Sequence, residues 1–97
     1  MTRADDRLSR QDLSLRPSPD VIARRLDRAG VLVHLTTNRI FELNETGIRI
    51  WELLAEQKDA DRIVEQLVDE FEVDGQEAAR ELEDFLVRFR HEGLVGS

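Results

Sequence analysis

Reactive side chains are scarce in this chain. Its four serines, Ser9, Ser14, Ser18 and Ser97, all lie in terminal segments, and it has no cysteine and no tyrosine. The central stretch offers few nucleophiles beyond Thr36, Thr37, Thr46 and Lys58, whereas covalent catalysis needs an activated one. His34 falls on a predicted strand and His91 near the end of a predicted helix, without the paired spacing of a motif such as H-E-x-x-H. Metal ligands come in clusters, so a lone strand histidine reads as a surface or packing residue. The many carboxylates look like solvated helix faces rather than a catalytic pair, and there is no glycine-rich phosphate loop. The expectation is a protein that is not an enzyme and carries no metal or cofactor.

Composition narrows the partners. Asp and Glu outnumber Lys and Arg by 21 to 14, for a net charge of −7, and Lys58 is the one lysine. Binding to a phosphate backbone draws on clustered cations that release counterions, so nucleic acid is a poor partner. Ninety-seven residues suffice for one small domain and leave no room for a second core. With 36% charged residues, that domain should be compact and heavily solvated. The lack of cysteine excludes disulfides and suits a reducing cytosol. Met1 to Asp6 lacks the apolar core of a signal peptide, and no apolar run approaches the roughly 20 residues that span a bilayer. A soluble, cytoplasmic protein without a membrane partner is expected.

The elements that must position any site can be read along the chain. Residues 1–19 show no sustained apolar period, and Pro17-Ser18-Pro19 imposes an extended stretch. They read as a flexible arm ahead of a domain at 20–97. Val21 to Leu26 is a first strand, and Asp27 to Gly30 a hairpin loop. Val31 to Leu35 and Arg39 to Leu43 are two more strands around Thr36-Thr37-Asn38, with Asn38 best suited to a left-handed turn. Three helices follow. Asn44 caps the first, Glu45 to Ala55, with Ile48, Trp51 and Leu54 inward. Asp59 caps the second, which places Ile63, Leu67 and Phe71 at core spacing. Asp74 and Glu77 form a capping-box pattern for the third, which runs to Gly93. Leu94 and Val95 should fold back onto the core. The expected fold is α+β: a small three-stranded antiparallel meander followed by three helices, winged-helix-like in outline.

Such a meander has two edges. Arg24 and Arg25 blunt the first. The last strand, Arg39-Ile40-Phe41-Glu42-Leu43, is mostly apolar and lacks proline. An open apolar edge can take a peptide as an added strand, with backbone bonds giving affinity and alternate side chains giving specificity. The third helix could supply the other wall, because Ala78, Ala79, Leu82, Phe85, Leu86 and Phe89 make a broad apolar stripe. The same stripe also reads as ordinary core.

A resemblance bears on that choice. Phe41-Glu42-Leu43-Asn44-Glu45-Thr46-Gly47 with Ile50-Trp51, the Ile63…Leu67…Phe71-Glu72-Val73-Asp74 turn, and Phe85-Leu86…Glu92-Gly93-Leu94-Val95 are similar to the PqqD-like family, the RiPP recognition elements. The similarity covers about residues 20–95. It implies a non-catalytic peptide chaperone of natural-product biosynthesis, which binds the leader of a ribosomally made precursor. A separate enzyme then modifies or cuts that precursor. Carried over by position, the peptide would pair with Arg39 to Leu43 and lie against the stripe from Ala78 to Phe89. The precursor could be that of pyrroloquinoline quinone, of a lasso peptide or of another product. The enzyme could be a radical-SAM enzyme, a leader peptidase or a cyclase.

Two other classes fit the pattern. A winged-helix DNA-binding regulator shares the outline, but its recognition helix needs Arg, Lys, Asn or Gln toward base edges. The third helix, from Asp74 to Glu92, holds six acids against Arg80, Arg88 and Arg90. A small homodimer whose open edge pairs with itself would also satisfy that edge.

Overall fold

The structure is a computed structural model and describes residues 15–96. In chain order it contains β1 (Arg16–Pro17), β2 (Val21–Leu26), β3 (Ala29–His34), β4 (Arg39–Leu43), α1 (Glu45–Ala55), α2 (Ala60–Phe71), α3 (Gly75–His91) and β5 (Val95–Gly96). Strands β2, β3 and β4 form an antiparallel meander in that order, and β1 pairs with β5 in a separate two-stranded ladder. This is the α+β arrangement expected from the sequence. Among the described residues no helix is long and apolar enough to cross a membrane.

Strand periodicity decides which face of the meander is covered. Leu32 stands opposite Phe41, and Gly30 opposite Leu43. These residues and His34 are buried, whereas Ile22, Leu26 and Ile40 on the other face are exposed. The helices lie on the first face. Gly30 is needed there, because a β-carbon at 30 would stand 2.5 Å from the side chain of Ile48 in α1. Strand β3 starts at Ala29 and takes in Gly30, which the sequence reading gives to the loop, because Leu26 and Arg25 pair with them. The hairpin tightens to Asp27-Arg28, with Leu26 opposite Ala29 and Asp27 left-handed at φ 60. Asn38 takes the left-handed conformation expected of it, at φ 65.

Each helix begins where its cap dictates. The side chains of Asn44, Asp59 and Asp74 accept from the backbone N–H of Gly47, Arg62 and Glu77. The end of α3 is a Schellman motif. The N–H of Gly93, at φ 71, donates to the carbonyl of Arg90, and that of Leu94 donates to the carbonyl of Phe89. This turn drives Leu94 and Val95 into the core. Trp51 meets Phe89 edge-on at 5.3 Å between ring centres, and Phe85 lies 5.7 Å from Phe89, joining α1 to α3.

The start of the packed body differs from the sequence reading. Leu15 is buried in the core, Arg16 and Pro17 pair with Gly96 and Val95, and the N–H of Ser18 donates to the carbonyl of Leu94. Residues 15–19 are thus docked along the carboxy-terminal strand, which exists only once α3 has turned back. The remainder of the expected arm, residues 1–14, lies outside the described residues.

Candidate functional site

Among the described residues, strand β4 has β3 on one side and no strand on the other, so a row of its backbone N–H and C=O groups faces outward. Helix α3 reaches β4 at its carboxy-terminal end and the start of α1 further back. Near the start of β4, the guanidinium of Arg39 donates to Glu92 at the end of α3, 2.8 Å away. The same guanidinium carbon lies 5.0 Å from the centre of the Phe41 ring, a cation–π contact. At the other end, Gly47 in the first turn of α1 lies beneath Phe85 of α3: a β-carbon there would stand 2.7 Å from the ring. A helix advances about 100° per residue, so Glu81, Phe85, Arg88 and Glu92 share one flank of α3. Two members of that flank meet other elements: Glu92 pairs with Arg39 of β4, and Phe85 rests on Gly47 of α1. A small open recess of about 30 Å³ continues along the flank, lined by Thr46, Leu67, Phe71, Val73, Ala78 and Glu81.

The structure distributes the eleven candidate residues over four places. Phe41, Leu43, Ala78, Leu82, Leu86 and Phe89 are buried in the core. They can shape a groove from beneath but present little surface to a ligand. Ile40 and Glu42 are exposed, but their side chains stand with Val33 and Val31 on the face away from the helices. Only their backbone faces the free edge. Arg39 is exposed and pairs with Glu92, and Phe85 is half-buried with its ring against Gly47. Ala79 is exposed, yet it lies about 120° around α3 from Phe85 by helical geometry.

The flank of α3 around Phe85 also carries Glu81, Arg88 and Glu92, which an apolar pattern does not single out. The one available signal was their spacing from Phe85, which is helical. Gly47 was legible as part of a motif, but its role, giving the Phe85 ring room, depends on a contact across 38 positions.

Elsewhere, a chain of ion pairs fixes α1 between β2 and α2. Arg25 donates through two nitrogens to Glu52, and Arg49 donates to Glu52 and through two nitrogens to Glu70. The Arg25 guanidinium holds the Glu52 carboxyl below the usual carboxylate range, and Arg49 does the same for Glu70. His34 is buried on the helix-covered face, and its Nδ1 has no partner among the described residues. No group of three or more metal-ligating side chains is gathered among those residues.

Residues 29–95 match the family described as coenzyme PQQ synthesis protein D (PqqD), and the chain belongs to that family. Among solved structures it is similar to TbiB1 in complex with the TbiA(beta) leader peptide. The two are 35% identical with a TM-score of 0.78, over 84% of this chain and 95% of that one. A lasso peptide synthetase B1 complexed with its leader peptide shares the fold at 20% identity and a TM-score of 0.77, over 87% of this chain and 99% of that one. No curated protein matches the chain in sequence.

Proposed function

We propose that this chain is a non-catalytic cytoplasmic adaptor for the leader segment of a ribosomally synthesised precursor peptide. The leader adds as a strand to β4, lies against the Phe85 flank of α3, and is presented to a separate modifying or processing enzyme. The observation that carries this reading is the unpaired edge of β4 beside α3. It occurs in a chain 35% identical to a protein solved with a leader peptide. Backbone pairing supplies affinity that is independent of sequence, and the inward side chains of the added strand meet Arg39, Phe85 and the recess by Thr46. The scarcity of activated nucleophiles supports leaving the chemistry to the partner.

The probe is the leader of the precursor encoded nearest to this chain's gene, titrated by fluorescence anisotropy. Ile40→Pro removes an N–H at the edge, and Phe85→Asp places a charge in the apolar cleft. Each variant that remains folded by circular dichroism should bind at least about tenfold more weakly, or about 1.4 kcal/mol. Amide shifts on adding leader should concentrate in residues 39–44 and 78–92. Wild-type affinity in folded variants at both places would refute the groove, and turnover of the precursor by this chain alone would refute the adaptor role.

A further inference from the structure

Among the described residues, the face of the meander turned away from the helices is largely exposed and carries mostly apolar side chains. Ile22, Val33 and Ile40 form one row across the three strands, and Arg24, Val31 and Glu42 form the next. Ile22, Leu26 and Ile40 on this face, and Leu35 just beyond β3, are 47 to 67% exposed. They make four of the five exposed large hydrophobic residues among those described. A scatter of single apolar residues would mean little, but Ile22, Val33 and Ile40 are neighbours across the three strands.

The charges on this face decide what can cover it. Arg24 and Glu42 sit at the same height on opposite edges, and neither forms an ion pair with a described residue. Their neighbours differ: Arg25, one residue on and facing the helices, is held by Glu52. A two-fold axis lying along β3, in the plane between two facing sheets, keeps height and exchanges left with right. It sets β2 of one copy over β4 of its partner. Arg24 then faces Glu42 twice, Ile22 faces Ile40 twice, and Val31 and Val33 meet their own counterparts near the axis. Parallel sheets about 10 Å apart are an ordinary packing distance.

We infer that this outer face is a self-complementary interface through which two copies of the chain associate. The surface is isologous in the sense that symmetric dimers require. Three strands about 4.8 Å apart and about 20 Å long give a footprint of roughly 280 Å². That is well below the roughly 800 Å² per partner of a standard interface, so the dimer is weak and reversible. It uses side chains of the face and leaves the β4 backbone edge free, so it is independent of the leader reading and differs from edge-to-edge pairing.

Sedimentation of the full chain without leader, from about 10 µM to about 1 mM, should show monomer and dimer in exchange with Kd on the order of 100 µM. Arg24→Glu and Glu42→Arg should each weaken the dimer at least about tenfold, because each places like charges opposite one another twice. An equimolar mixture of the two variants should recover the dimer, since both cross-pairs become attractive again. Recovery on mixing excludes misfolding as the cause of the single losses. Monomer throughout the concentration range would overturn the inference, as would a dimer indifferent to both reversals or a mixture that fails to recover. Loss of leader affinity in folded Arg24→Glu would assign the face to the leader instead, and would equally overturn it.

Discussion

The ring of Phe85 rests on Gly47, so closely that a β-carbon at 47 would stand 2.7 and 2.8 Å from two of its carbons. This contact joins the first turn of α1 to the flank of α3 beside β4.

Gly47→Ala should therefore destabilise the fold by about 1–2 kcal/mol through overpacking, even though alanine is the better helix former by up to about 1 kcal/mol. Phe85→Leu in the same chain should restore part of the loss. Urea unfolding of the two single variants and the double variant measures the coupling. Additive effects would show that the contact carries no strain when the β-carbon is added.

Arg39→Ala should separate stability from binding. The Arg39–Glu92 pair is largely exposed on the arginine side, at 60%, so its loss should cost less than about 1 kcal/mol of stability. Leader affinity should fall severalfold if the leader pairs with β4 as proposed, because Arg39 stands at the start of that strand. A variant that binds as tightly as wild type would remove Arg39 from the site.

The Glu52 and Glu70 carboxyls are held below their ordinary range by Arg25 and Arg49. A lowered folded-state pKa contributes stability that is fully present above the unfolded carboxylate value of about 4.3. That contribution is lost as the pH falls through the lowered value. Glu52→Gln should accordingly lower stability near neutral pH by about 0.5–1 kcal/mol and flatten its acid dependence. Urea midpoints measured at neutral and acidic pH test this; equal losses at both would mean the pairing is not the source.

Leu15 is buried against the core although it precedes the first strand of the meander. Leu15→Ala should cost about 2 kcal/mol, at the low end for a core leucine because the site is close to the chain's edge. The melting temperature should drop by about 10 °C. A change of only a degree or two would mean that the docking of residues 15–19 is not coupled to the rest of the fold.

Local signals were enough to place most elements. Asn44, Asp59 and Asp74 mark helix starts because their side chains satisfy backbone donors within three residues, a relation that sequence spacing contains in full. The period-two pattern in Arg39–Leu43 and the left-handed turn at Asn38 are local in the same way. The motif around the β4–α1 join likewise carried the family. Contacts between distant segments were not legible in this manner. Whether Leu15 packs depends on where β5 lies after α3 ends, and whether residue 30 has room for a β-carbon depends on Ile48 lying above it. The cleft shows the same division. An apolar stripe identifies the helix that packs, but its most apolar members, Leu82, Leu86 and Phe89, are for that reason spent in the core. Glu92 meets Arg39 of β4 only because tertiary packing fixes the rotation of α3. Hydrophobic burial is blind to direction around the stripe, and the turn of a helix about its own axis is decided by all the surfaces it meets together.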